Sequence, residues 1–331
     1  MEKLINEFGA AIKRQLESLY GDSRSIWLGD VKELNQVTGK GLFVEETGSG
    51  FLAGIYLEPY FEQYQKGKTI EEAASDIYGL LQLGIPEAGI LERFRSFDRV
   101  KGLVTFSLIN AGRNQKLLES VPHIKALDLA VIFHIETTES GMYHIKAMVT
   151  EAARRLWKTT AGELLALAME NTPWQHPASI KTKEEAIRSM LAEWEGNPAA
   201  QEVIEAVCSA KTVLPLYILS NDSGKDGAAA MMYEGVLKDF ADRMDRDLLL
   251  IPTSIHEAMV VLYDGVSDGA KFWRMVRSIN RTETPPESVL SDNIYYYKRL
   301  DNSLMTASGR EPGQKLFLDC IRDMGNMDRK D

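Results

Sequence analysis

Thr253-Ser254-Ile255-His256-Glu257 is the densest run of reactive side-chain types in the chain. In an extended strand, Ser254 and His256 would share one face, being two residues apart. A serine hydroxyl beside an imidazole is the start of nucleophilic catalysis, because the weak nucleophile needs a base to take its proton. An acid such as Glu257 or Asp292 would then orient the imidazole. Ser254, His256, Glu257 and Asp292 are therefore the candidate catalytic residues of a hydrolase-like reaction. No Gly-x-Ser-x-Gly elbow surrounds Ser254, and no oxyanion loop stands out. The competing reading is a strand-end turn in which Ser254 caps backbone groups and His256 bonds locally.

Other partial motifs fall short of their chemistry. His256-Glu257 opens a zinc-protease pattern, but Val260 stands where the second histidine belongs. Asp222, Asp226 and Gly227 resemble part of a calcium loop, with Gly224 at its third position and Tyr233 at its twelfth. Ser223-Gly224-Lys225 lacks the upstream glycine of a phosphate loop, since Leu219 is there. Cys208 and Cys320 lie far apart and outside any Cys/His cluster. His134 and His144 face each other across an expected hairpin, which suits a metal or a proton switch, although an ordinary sheet-surface pair is simpler. The expectation is no metal and no cofactor.

Binding chemistry points to other residues. Asn171 to Pro177 reads as a proline-framed loop that carries Trp174 and His176. Asn221 opens a polar turn, and Tyr296 lies in a tyrosine run whose side chains alternate between faces. These four are the candidate binding residues. Tyr56, Tyr60, Phe61 and Tyr64 either line a recognition groove or form a core face.

The totals bound the partners. The 331 residues are 44% hydrophobic and 26% charged, as a folded globular chain requires. The formal net charge is −10. Residues 1–150 carry 16 basic and 20 acidic side chains, so the acidity is shared and no basic lobe is set aside for phosphates. Nucleic acid and membrane are not expected, and the partner is an unspecified protein or small molecule. The opening residues read as an amphipathic helix with charges throughout, unlike a signal peptide, and no stretch is apolar enough to span a bilayer. The expected setting is the cytoplasm.

The elements that must position these residues follow from periodicity. Ile5, Phe8, Ile12, Leu16 and Leu19 fall at helical spacing. Short strands follow at 25–28, 41–45 and 51–57. Thr69/Glu72, Thr160/Glu163 and Thr182/Glu185 are capping boxes that open helices. Strands are expected at 103–108, 127–135, 143–148, 212–220, 248–251, 258–263 and 293–298. Ala229–Tyr233 reads as a returning strand, and 236–244 and 272–279 as helices. Hairpins mixed with helices give an α+β fold of mixed, largely antiparallel sheets packed with helices in two lobes. The expected division is an N-terminal lobe at 1–150, a helical connector at 151–210, a C-terminal lobe at 211–325 and a frayed tail at 326–331.

Seven segments also occur in a characteristic order. They are Ile55-Tyr56-Leu57 running into Tyr60–Gly67, Val121-Pro122-His123-Ile124 through Ala130, Glu170-Asn171-Thr172-Pro173, Leu216–Asn221, Gly227-Ala228-Ala229, Ile251–Glu257 and Leu290–Tyr297. Together they resemble an uncharacterised family of gut clostridial proteins, a domain of unknown function, over roughly residues 50–300. Thr253 departs from the expected serine and keeps the hydroxyl. The resemblance implies a bacterial origin and a shared fold, and it transfers no activity, cofactor or catalytic residue.

Overall fold

The computed structural model describes residues 2–21, 24–32, 34–36, 38–46, 52–84, 95–139, 143–190, 215–263, 269–308 and 311–318. The fold is α+β, with three open sheets and antiparallel pairing in every register described. Chain contacts divide it into two compact units: residues 1–100 with 136–146, and residues 101–135 with 147–331. Cys208 and Cys320 lie outside the described residues, as does the tail at 326–331.

In the first unit the apolar spacing of the opening residues becomes helix α1 (Glu2–Tyr20). Strands β1 (Arg24–Lys32), β2 (Thr38–Glu46) and β3 (Leu52–Tyr56) form an antiparallel meander in the order β1-β2-β3. Helix α2 (Glu58–Gln65) starts with Pro59 in its first turn, where a missing N–H costs nothing. Helix α3 (Ile70–Gly84) opens on its capping box: the Glu72 amide donates to Thr69 Oγ1, and Glu72 Oε2 accepts from the Thr69 amide. Phe8, Ile12, Leu16, Leu42, Phe61 and Ile77 are buried together where α1 and α3 meet the sheet. Each such side chain contributes about 1.5–3 kcal/mol of burial.

The second unit carries two sheets. The smaller runs β4 (Val104–Asn110), β6 (Leu129–Glu139), β5 (His123–Ala126), and β7 (Tyr143–Met148) also pairs with β6. The contact division cuts β6 and β7 and assigns 136–146 to the first unit. Helices α4 (Glu151–Trp157) and α5 (Ala161–Gln175) begin on the Thr150 and Thr160 caps. Strand β8 (Ala178–Thr182) and helix α6 (Lys183–Met190) follow.

The larger sheet has seven strands. They are β8, β9 (Leu216–Asn221), β10 (Asp247–Pro252), β11 (Ala258–Tyr263), β12 (Ile294–Lys298), β13 (Ser303–Ser308) and β14 (Glu311–Phe317), in the order β14-β13-β12-β10-β11-β9-β8. Helices α7 (Val236–Met244) and α8 (Gly269–Thr282) belong to this unit. On α8, Phe272 and Val276 pack with Leu249, Ile251 and Ile294 of the sheet.

Two local expectations are corrected. The 171–177 segment is not a loop: α5 runs through Pro173 to Gln175. Proline supplies no amide, yet its neighbours are pinned from outside the helix. Thr172 Oγ1 accepts from the Phe106 amide at 3.0 Å, and Asn171 Nδ2 donates to the Lys101 and Val104 carbonyls. The 229–233 segment is not a strand. Gly227–Met232 is a 3-10 helix, buried along its whole length, so it needs small residues instead of alternation.

Candidate functional site

One end of the seven-stranded sheet gathers most of the polar residues singled out in the sequence. Strand pairing sets Ala178 opposite Asn221 and Leu219 opposite Ala258. The lead into β8 (His176, Pro177), the turn after β9 (Asn221 to Asp226) and the β10–β11 turn (Thr253 to Glu257) are therefore neighbours. The Asp222 amide donates to the Pro177 carbonyl at 3.1 Å.

Within this cluster each hydroxyl and imidazole contact serves the turns. Ser254 Oγ accepts from the His256 backbone N–H at 3.0 Å. The imidazole Nδ1 of His256 accepts from the Asp226 amide at 3.1 Å. Ser220 Oγ donates to the His256 carbonyl at 2.8 Å, and Thr253 Oγ1 donates to the Glu257 carbonyl at 3.1 Å. Asn221 Nδ2 donates to the Lys225 carbonyl and Asn221 Oδ1 accepts from Ser223. Asp226 takes a left-handed conformation with φ of 53°. Gly227 leaves no room for a side chain: a Cβ there would lie 2.5 Å from the His256 carbonyl oxygen and 2.7 Å from the Asn221 amide nitrogen. The turns are locked against one another by backbone contacts.

The remaining candidates lie apart from that lock. Trp174, in the last turn of α5, is 83% exposed. Asp292 accepts from Arg113 Nη2 at 2.9 Å and from Asn280 Nδ2 at 3.0 Å. Burial works against its anion, but the Asn280 and Arg113 hydrogen bonds and the charges of Arg113 and Arg277 together hold its pKa below the usual carboxylate value. Tyr296 sits toward the other end of β10, where its hydroxyl donates to Asp247. Burial, then the Asp247 hydrogen bond and charge, drive its phenol pKa far up. Its neighbours Tyr295 and Tyr297 are fully buried on the opposite face.

Next to Asp292 lies a half-buried network with no signature in short-range spacing. Asp128, in the β5–β6 turn after the positive-φ residue Leu127, accepts from Ser291 Oγ at 2.5 Å, Asn293 Nδ2 at 3.0 Å and Tyr295 Oη at 2.8 Å. Burial and the Asp128 charge raise the Tyr295 phenol well above its usual value, so it stays a donor. A serine–histidine pair does form elsewhere. Ser107 Oγ and His134 Nε2 are 2.8 Å apart, both buried, on facing strands β4 and β6. The period-two pattern of those strands was the available signal. The His144 side chain lies outside the described residues.

The aromatic residues after β3 divide their work. Phe61 enters the core, whereas Tyr56 and Tyr64 are exposed. Ile55, Tyr56, Pro59, Tyr60, Asp76 and Leu80 line an open groove of about 610 Å³ in the first unit. Tyr56 is 43% and Leu80 49% exposed. Burial and the nearby Asp76 carboxylate raise the Tyr60 phenol pKa, outweighing Lys68, so the hydroxyl stays neutral.

Among the described residues, no three His, Cys, Asp or Glu side chains are grouped to hold a metal ion. Among them, too, no helix is long and apolar enough to cross a membrane.

The family of unknown function DUF5688 matches residues 5–299. The chain belongs to that family. The match begins near the start of α1, so the family's extent takes in the whole first meander as well as the 50–300 region marked by the ordered segments. No curated protein and no solved structure matches the chain.

Proposed function

We propose that this member of the family is a non-enzymatic cytoplasmic binding protein, and that its recognition element is the groove between β3, α2 and α3. The observation that carries the reading is the groove's lining. Tyr56, Tyr60, Pro59, Ile55 and Leu80 form an apolar wall, and Asp76 and Gln63 supply a few polar atoms. Its volume of about 610 Å³ falls within the range of ligand sites, roughly 300–1,000 Å³. Exposed aromatic and aliphatic side chains in one patch favour an apolar segment of a partner protein or an apolar small molecule. The cluster at the sheet end supports the same reading from the other side. Ser254 Oγ and His256 Nδ1 both take backbone amides, so the serine and the imidazole are engaged in turn formation and not with each other. Two cysteines in 331 residues are too few for a disulfide framework, in keeping with a reducing setting.

The test compares the wild-type protein with Leu80→Glu, a surface substitution on α3. Each is used to capture ligands from a lysate of the source cells, and bound proteins and metabolites are identified by mass spectrometry. The expected result is a stoichiometric partner or metabolite held by the wild type and lost from Leu80→Glu. Equal recovery by both proteins would overturn the groove. Steady turnover of ester or amide substrates that Ser254→Ala abolishes would overturn the non-enzymatic reading and support a hydrolase using Ser254 and His256.

A further inference from the structure

Helix α8 carries four basic residues and no acidic one: Lys271, Arg274, Arg277 and Arg281. The rest of the chain therefore has a net charge of −14 against the total of −10. Arg274, Arg277 and Arg281 recur at three- and four-residue intervals, which puts them on one helix face along about 10 Å of axis. The opposite face, with Phe272 and Val276, is committed to the sheet. The arginines line a groove of about 380 Å³ with Trp273, Ser278 and Thr282.

Arg277 and Arg281 differ from Arg154 and Arg113 of the same unit. Arg154 spends two nitrogens on Glu151, and Arg113 is tied to Asp292. Among the described residues, neither Arg277 nor Arg281 has a carboxylate within ion-pair distance. Arg277 instead lies over the Trp273 ring, 4.8 Å from its centroid, an arrangement that holds the planar group in place with its edge nitrogens available. Nearby carboxylates are already engaged: Asp292 with Arg113 and Asn280, and Glu283 with the Thr282 hydroxyl.

We infer that this face of α8 docks a short acidic segment of a partner protein, with the guanidinium row pairing its carboxylates. Guanidinium forks match carboxylates in a bidentate geometry. The row is short and the groove shallow, which suits a segment of a few residues laid along the helix. A long nucleic acid is disfavoured by the charge balance, since the sequence outside this helix carries a formal net charge of −14. The inference does not rest on the aromatic groove of the first unit, and a failure of either leaves the other standing.

The experiment measures fluorescence anisotropy of a fluorescein-labelled glutamate-rich decapeptide with the full chain at about 50 mM salt, where screening is weak. A single-stranded oligonucleotide with the same label is run in parallel. The peptide is expected to bind, to weaken as salt rises, and to lose about tenfold in affinity in the double variant Arg277→Gln/Arg281→Gln. The corresponding lysine variant should recover part of the loss, because charge survives without the fork. Thermal melts should show the variants still folded, with at most a small loss, since Arg281 is exposed and Arg277 is only half-buried. Absence of peptide binding, equal binding by the glutamine variant, or tighter binding of the oligonucleotide than of the peptide would overturn the inference.

Discussion

The imidazole of His256 accepts a hydrogen bond from the backbone N–H of Asp226, 30 residues earlier in the chain. This bond joins the β10–β11 turn to the end of the β9 turn and fixes a residue with a positive φ. His256→Ala would leave a partly buried amide without its acceptor. A loss of about 1–2 kcal/mol in unfolding free energy is expected, measured by urea denaturation. An unchanged midpoint would show that the bond contributes nothing net.

Gly227 should tolerate no side chain. Gly227→Ala places a methyl group against two backbone atoms, the His256 carbonyl oxygen and the Asn221 amide nitrogen, neither of which swings aside as a side chain would. The expected cost is about 3 kcal/mol or more. A melt within a degree of the wild type would mean that the two turns separate easily.

Asp128 accepts from three donors at once. In Asp128→Asn one oxygen becomes an NH₂ that faces either the Ser291 and Asn293 donors or the Tyr295 hydroxyl. A loss of roughly 2–4 kcal/mol is expected. Tyr295→Phe removes one donor and leaves two, so it should cost less than Asp128→Asn. The reverse ranking in denaturant melts would contradict the assigned geometry.

Asp292 gives a pH signature. Its pKa is lower in the folded protein than in the unfolded chain, so the unfolded state binds the proton more readily in acid. Its contribution is complete above the unfolded carboxylate pKa near 3.9 and disappears as pH falls through the depressed folded value. Asp292→Asn should therefore show a shallower fall in stability than the wild type between about pH 5 and pH 3. Parallel acid limbs for the two proteins would argue against it.

Local chemistry made part of this structure readable. Capping boxes at Thr69, Thr160 and Thr182 need only residues three apart, and each forms its reciprocal bonds. Pro173 reads as a helix breaker because the bonds that steady its neighbours come from Lys101, Val104 and Phe106, about 70 residues away. Gly227–Met232 has no period to read, since all six residues are buried. The run from Thr253 to Glu257 advertises reactive groups, but only the folded turns show which backbone atoms those groups serve. The arginine row of α8 is plain in its spacing. Summing charge over half-chains dilutes it, because four cations on one helix vanish into a net acidic total.

The Asp128 network also sets an order of events during synthesis. Ser291 follows Asp128 by 163 residues and Tyr295 by 167. At about 5–20 residues per second, the ribosome needs on the order of ten seconds or more to make that stretch. Until then the β5–β6 turn holds a carboxylate whose three donors do not yet exist. The small sheet can pair its strands early, but it cannot be sealed at this corner before the last third of the chain emerges. A nascent chain stalled before residue 291 would thus present an unsealed turn to chaperones and proteases.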